Sequence, residues 1–322
     1  SYTDPELEVI SIQKEVENQP TKVEVTKTDI TGEKEVEGAR LQIQDEEGNV
    51  VEEWTSTNES HIIYALKPGK YILHEEQAPT ENGYVKAEDV EFTVEETGEI
   101  QKVSMKDDHT KIDITKTDIT GEQEIEGAKL QVTDESGKVV DSWTSGKDAH
   151  IIKELVVGQK YTLTETKPAD GYVTAESITF TVEDTAKPQK IEMKDDVTKV
   201  EISKTDISGK ELPGAKLTIL DKDGKTVESW TSEEKPHYIE MLPIGEYTLR
   251  EESAPDGYLV AEDVKFTVED TGEIQKVVMK DEVKPEETPT PETPSTQVTD
   301  TPKTGDDTHM LIWILLAIAG MA

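Results

Sequence analysis

Apolar residues fall at every second position in short runs along most of the chain. Val23 and Val25 alternate with polar neighbours, and so do Leu41 and Ile43, Tyr71 and Leu73, and Val103 and Met105. A period of two is that of a half-buried strand, whereas an amphipathic helix would repeat near 3.6 residues. Turn-forming clusters separate the runs, at DEEGN (45–49), KPGK (67–70) and PTENG (79–83). Glycine, proline, asparagine and aspartate favour reversals at such places. The pattern predicts roughly seven short strands in this stretch and no convincing helix, which is the signature of a β-sandwich.

The same text is then written twice more. KVEVTKTDITGEKEVEGARLQI begins at Lys22, KIDITKTDITGEQEIEGAKLQV at Lys111 and KVEISKTDISGKELPGAKLTI at Lys199. Trp54, Trp143 and Trp230 keep step with these starts, as do Tyr71, Tyr161 and Tyr247, and Met105, Met193 and Met279. DESGK (134–138) and DKDGK (221–225) stand in register with DEEGN as hairpin turns. A spacing of this length is too long for a solenoid unit and fits a small self-contained domain. The expectation is an all-β chain of three tandem sandwiches, over 21–109, 110–197 and 198–283. Residues 1–20 hold a strand-like run from Leu7 to Ile12 but do not match the repeat start, and read as the remnant of an upstream domain. With no initiator methionine or leader, the chain reads as a fragment. Residues 284–303 are rich in Pro, Thr and Glu and read as an extended, disordered spacer.

Alternation also places three charged residues on the inward face of each repeat. Lys27 shares a face with Val23 and Val25, Glu75 with Tyr71 and Leu73, and Asp107 with Val103 and Met105. Lys116, Glu165 and Asp195 repeat this in the second unit, and Lys204, Glu251 and Asp281 in the third. Isolated buried charge is very costly, so such groups pair, neutralise or react. One reading is a buried salt bridge, or charges at strand ends that just reach water. The other is a self-made amide between lysine and aspartate. Desolvation disfavours both charged forms, leaving a neutral amine facing an un-ionised carboxyl carbon, with a protonated glutamate to polarise the carbonyl and shuttle protons. Each such bond expels one water in a single event, so the domain is the substrate of its own chemistry and not a turnover enzyme.

Composition narrows the classes of function. The formal net charge is −37, from 34 Lys+Arg against 71 Asp+Glu, which argues against nucleic-acid binding because phosphate contacts need a basic face. Without cysteine there is neither a thiolate metal site nor a disulfide scaffold. Apolar residues are 33% of the chain, too few for one large core and consistent with several small ones. The surplus of acid reads as a solvated surface that repels neighbours and keeps a dense array extended. His61, His150 and His237 each follow a tryptophan by seven residues. One histidine per domain without a nearby partner is a poor metal site, so they read as packing at strand starts. The tryptophans read as half-buried strand aromatics rather than a glycan platform, and Asp221–Gly224 as a turn rather than a calcium loop. No metal site and no cofactor are expected.

The motifs carry a family resemblance. V-x-K-x-D, then G-A-x-L, then G-x-Y-x-L-x-E-x-x-A-P-x-G-Y, then V-x-M-x-D resembles the Cna B-type (SpaA-type, prealbumin-like) domains of Gram-positive surface proteins and pilins. YTLREESAPDGY (247–258) fits closely, YTLTETKPADGY (161–172) nearly so, and YILHEEQAPTENGY (71–84) carries a two-residue insertion. The resemblance implies prealbumin-like, Ig-like sandwiches with Lys27, Lys116 and Lys204 as amine donors. It implies Asp107, Asp195 and Asp281 as acceptors, where the family often has Asn, and Glu75, Glu165 and Glu251 as the catalytic glutamates. Each bond would close an interval of about 80 residues, worth roughly 4 kcal/mol on the chain-entropy account of crosslinks. Tension would bypass that interval, leaving only the nine residues from Asp107 to Lys116, and from Asp195 to Lys204, to stretch, to about 30 Å each.

TPKTGD (301–306) resembles the sortase sorting signal L-P-x-T-G, with Thr301 where Leu is usual. The resemblance implies cleavage between Thr304 and Gly305 and transfer of the threonine carboxyl to a cell-wall amine. Met310–Ala322 is apolar but too short to span a bilayer, and reads as a truncated hydrophobic tail with only transient membrane contact. The partners implied are sortase and peptidoglycan, and the location is extracellular and wall-anchored. The leading expectation is a stalk of crosslinked domains that presents an upstream adhesive module. The alternatives are that the repeats themselves grip host matrix protein or glycan, or that the chain is a minor or anchoring pilin. Polymer backbones of this family use a Y-P-K lysine, which does not occur here.

Overall fold

Two-residue alternation buries one face of each strand, and a sheet with one apolar face must cover it with another. The computed structural model, which describes residues 19–286, shows this solution three times. In the first domain the strands are β1 (Lys22–Asp29), β2 (Arg40–Asp45), β3 (Val50–Thr55), β4 (His61–Tyr64), β5 (Gly69–Gln77), β6 (Val90–Val94) and β7 (Ile100–Asp107). The second has β8 (Lys111–Asp118), β9 (Lys129–Asp134), β10 (Val139–Thr144), β11 (His150–Lys153), β12 (Lys160–Lys167), β13 (Ile178–Thr181) and β14 (Gln189–Asp195). The third has β15 (Lys199–Asp206), β16 (Lys216–Asp221), β17 (Thr226–Thr231), β18 (His237–Glu240), β19 (Gly245–Ser253), β20 (Val264–Val268) and β21 (Ile274–Asp281). The insertion in the first domain forms a 3₁₀ turn at Thr80–Asn82.

Each domain pairs a three-stranded sheet, ordered β4-β1-β7 in the first, with a four-stranded sheet ordered β3-β2-β5-β6. Between them lies a core containing Val23, Val25, Leu41, Leu73 and Met105. The first and last strands, β1 and β7, are parallel neighbours along their whole length, from Lys22 opposite Ile100 to Asp29 opposite Asp107. The pairings β8–β14 and β15–β21 repeat this arrangement. The hairpin between β2 and β3 turns where expected. Asp45 accepts hydrogen bonds from the N–H groups of Glu47 and Asn49, and Gly48 adopts φ +82°, the left-handed conformation that glycine takes without steric cost.

The connectors between domains are shorter than their sequence spacing suggests. Only residues 108–110 separate β7 from β8, because Lys111–Lys116 already belongs to the next sheet. The nine-residue free connectors expected from the sequence are therefore mostly strand, and would have to peel from a sheet before they could extend. All three domains fall within one compact unit, and successive domains touch through backbone. Thr110 donates its N–H to the carbonyl of Gly83 at 2.9 Å, and Thr198 donates to Gly171 at 3.0 Å. Gly83 and Gly171 have φ of +76° and +86°, and a Cβ on either would lie 2.4–2.5 Å from backbone atoms of Glu154 or Met241. The expected strand in residues 1–20 and the expected spacer and tail beyond residue 286 lie outside the described residues, except for residues 19–20 and 284–286.

Gly257 has the same backbone conformation, with φ +87°, but nothing lies within 4 Å of where a Cβ would stand. Gly257→Ala should therefore cost only the left-handed strain, about 1 kcal/mol. Gly83→Ala should cost about 3 kcal/mol, because backbone must also move. Thermal unfolding, with hydrogen exchange at the Thr110 amide, checks this; equal effects at the two positions would contradict the contact.

Candidate functional site

Lysine reaches the interior because strand parity leaves it no other direction. Lys27 is the third inward residue of β1, after Val23 and Val25, and its own backbone N–H is held by the Glu35 carboxylate at 3.0 Å. Asp107 ends β7, two positions beyond Met105, the residue paired with Lys27. Glu75 comes from the opposite sheet, on β5, paired with Leu41 of β2. The three side chains are 2%, 0% and 0% exposed, respectively. The other two triads are similarly buried.

In the first domain Lys27 Nζ contacts Asp107 Oδ1 and lies 2.9 Å from Glu75 Oε1. Lys116 stands the same way to Asp195 and, at 3.0 Å, to Glu165. Lys204 does so to Asp281 and, at 3.0 Å, to Glu251. The other glutamate oxygen is fixed by backbone: Glu75 Oε2 accepts the Ala87 N–H at 2.6 Å, Glu165 the Ala175 N–H at 2.7 Å and Glu251 the Ala261 N–H at 2.6 Å. That bond fixes the orientation of each glutamate carboxyl. Glu75 Oε1 meets the Lys27 ammonium, whereas Asp107 Oδ2 is buried without a hydrogen-bond partner, as are Asp195 Oδ2 and Asp281 Oδ2. Buried polar atoms rarely go unpaired, and a proton on the aspartate carboxyl would relieve this one.

The electrostatics favour that proton. Desolvation pushes the Asp107 carboxyl up to about 7, the Lys27 charge pulls it back, and Glu75 raises it further. Asp195 is likewise raised to about 7, chiefly by burial, against the opposing pull of Lys116. Asp281 is raised for the same reasons. A carboxyl that binds a proton more tightly when folded supports the fold fully below its unfolded value near 3.8 and loses that support as pH rises towards about 7. An un-ionised carboxyl carbon beside an amine is an electrophile facing a nucleophile, and moving one proton from ammonium to carboxylate reaches that state without changing the net charge.

The structure thus gathers all nine sequence-predicted core residues into three like clusters. Thr304 and Gly305 lie outside the described residues. The histidines do have partners. His61 stacks on Trp54 with ring centroids 4.4 Å apart, His150 on Trp143 at 4.0 Å and His237 on Trp230 at 4.3 Å. Each imidazole also meets a carboxylate two residues before its tryptophan: Glu52 at 3.3 Å, Asp141 at 2.8 Å and Glu228 at 2.7 Å. The acid-x-Trp spacing was visible in the sequence, but that β3 and β4 would set it against the histidine was not. Trp54 and His61 line the same small cavity as Lys27, so the stacked pair forms part of the wall around the lysine. Among the described residues, no group of three or more His, Asp or Glu side chains is arranged to hold a metal ion, and no helix is long and apolar enough to cross a membrane.

Comparison with known proteins places this architecture. The model of the SpaA prealbumin-like fold domain matches residues 21–109, 110–197 and 198–283. No curated protein matches the sequence. Among solved structures, the TIE protein of Bacillus anthracis aligns at 28% identity and a TM-score of 0.44, over 82% of this chain and 51% of its own, so the chain spans about half of that protein. A streptococcal ancillary pilin aligns at 16% identity and TM-score 0.36, over 82% of this chain and 99% of its own. BcpA, the major pilin subunit of Bacillus cereus, aligns at 16% and 0.34, over 83% and 100%. The chain belongs to the family of SpaA prealbumin-like fold domains and carries three of them in tandem.

Proposed function

We propose that these domains form the stalk of an extracellular, cell-wall-anchored surface protein, each stiffened by an amide between its first and last strands. The observation that carries this reading is the buried triad, in which lysine touches an aspartate carboxyl whose proton affinity is raised by its surroundings. The lysine nitrogen attacks the aspartate carboxyl carbon. The glutamate proton goes to the carboxyl oxygen, the amine proton returns to the glutamate, and the C–O bond breaks to release one water. Lysine plus carboxylic acid becomes amide plus water, with no cofactor and no net redox change. The bonded pairs would be Lys27–Asp107, Lys116–Asp195 and Lys204–Asp281.

The topology makes the bond mechanically useful. Force entering at Lys22 and leaving at Asp107 pulls β1 and β7 in shear, because they are parallel neighbours. A covalent link from Lys27 to Asp107 carries that load along six residues of β1 and across the bond, and leaves the 80-residue interval unloaded. Sortase acting at Thr304–Gly305, with peptidoglycan as acceptor, would supply the anchor, and an adhesive module upstream would be the cargo. The distribution of exposed aromatics supports a stalk over a binding surface: among the described residues the exposed large aromatics are Tyr64 and Tyr238, which lie on different domains.

Intact mass of the whole chain should fall three waters short of its sequence, and Lys27→Ala or Glu75→Gln should each restore one. A full mass for the unaltered chain would overturn the amide and return the triads to ion pairs. A second test uses pH. In the chain with Lys27→Met, Lys116→Met and Lys204→Met no amide can form, and the aspartates lose the cation that lowers their proton affinity. Its stability should fall as pH rises from about 4 to above 7, by up to about 1.4 kcal/mol per pH unit for each domain. Denaturant unfolding across that range checks the slope, and a midpoint that does not fall would contradict the assignment.

A further inference from the structure

The junctions between domains are built to one plan, and the plan is present at a third place where no preceding domain is described. At the first junction Thr110 donates its N–H to Gly83, accepts the Glu154 N–H at 3.2 Å and gives its hydroxyl to the Leu155 carbonyl at 2.7 Å. At the second, Thr198 donates to Gly171, accepts the Met241 N–H at 3.0 Å and gives its hydroxyl to Leu242 at 2.6 Å. Glu154 and Met241 take positive φ, +67° and +62°, and their backbones press on the glycine of the preceding domain. A side contact repeats too: Asp184 accepts the Lys86 N–H at 3.2 Å, and Asp270 accepts the Thr174 N–H at 2.8 Å.

The leading end of the first domain has the same parts. Thr21 accepts the Ala65 N–H at 2.9 Å and gives its hydroxyl to the Leu66 carbonyl at 2.6 Å. Ala65 takes φ +61°, a conformation non-glycine residues adopt at a cost. Glu96 stands at the position of Asp184 and Asp270. The chain also enters along the same path. The Gln19 side chain lies beside Gly98, its Oε1 2.7 Å from where a Cβ would be, as the Asp196 carboxylate lies 2.8 Å from the equivalent point at Gly272. What differs is the cover. Leu155 and Leu242 are 7% and 3% exposed, whereas Leu66, their counterpart, is only partly buried. Among the described residues the Thr21 N–H has no acceptor corresponding to Gly83 or Gly171.

We propose that this face is a socket for another domain of the same fold, joined covalently ahead of Gln19. That domain seats the glycine of its Gly-Tyr turn against the Ala65 backbone and accepts the Thr21 N–H on the glycine carbonyl. The occupant must be covalently continuous, because residues 19–21 already fill the path that the linker of a separate molecule would need. A backbone N–H from its next turn would meet Glu96. The strained Ala65 and the half-covered Leu66 are then parts of an interface held ready, and the stack continues upstream with the geometry of the two junctions present. This inference is independent of whether the amides form.

The test joins a copy of residues 110–197 directly ahead of Thr21 in the full chain. The Thr21 amide should then exchange with solvent more slowly by roughly tenfold or more, approaching Thr110, and the added domain should tumble with its neighbour in relaxation measurements. Replacing the glycine of the Gly-Tyr turn in the added copy by alanine should abolish both effects, while circular dichroism shows the copy still folded. An unrelated small domain joined at the same point should protect nothing. Unchanged exchange at Thr21 with an independently tumbling copy would overturn the socket. So would protection that survives the alanine or is given equally by the unrelated domain.

Discussion

Each domain encloses a lysine between two carboxyl groups, in an interior otherwise made largely of apolar side chains. Three ionised groups so deep would be held at a heavy desolvation cost, and removing one partner from such a cluster typically costs about 3–5 kcal/mol because charge is left stranded. The raised proton affinity of Asp107, Asp195 and Asp281 is the local expression of that cost. In the proposed condensation the lysine and aspartate charges would disappear together, replaced by an amide dipole that a small core tolerates. The same burial that makes the ion cluster unfavourable would therefore favour the proposed reaction, and the glutamate fixed by a backbone N–H lies against the lysine nitrogen that would react.

The position of the triad matters as much as its chemistry. Its lysine and aspartate sit on the two strands through which the chain enters and leaves a domain, and these are parallel neighbours. A crosslink between other strands would leave much of the domain in the line of force. The junctions follow the same economy. Three residues separate successive domains, and the glycine of one packs on the left-handed backbone of the next. With the proposed crosslink, sandwich and junction together would leave little free chain for tension to draw out.

Much of this was legible in the sequence, for identifiable reasons. Strand parity is a local property, so the inward direction of Lys27, Glu75 and Asp107 could be read from their neighbours, and the repeats displayed it three times. The hairpin at Asp45–Asn49 was equally local, because aspartate and glycine specify it. Parallel pairing of β1 with β7 left no such trace, since a period of two is the same in parallel and antiparallel sheets. The Trp54–His61–Glu52 cluster was missed because its members come from two strands whose approach depends on the fold. The connectors looked free because spacing does not tell where a strand begins. Positive φ at Ala65, Glu154 and Met241 has no signature at all in residues that ordinarily avoid it.

Pulling the chain from its two ends in a single-molecule force experiment tests the account most directly. If all three interiors are covalently closed, the described domains should stretch without releasing hidden length, up to the force at which the attachment fails. The contradicting result would be three sawtooth events, each freeing roughly 250–300 Å, the extended length of an unlinked domain of about 80 residues.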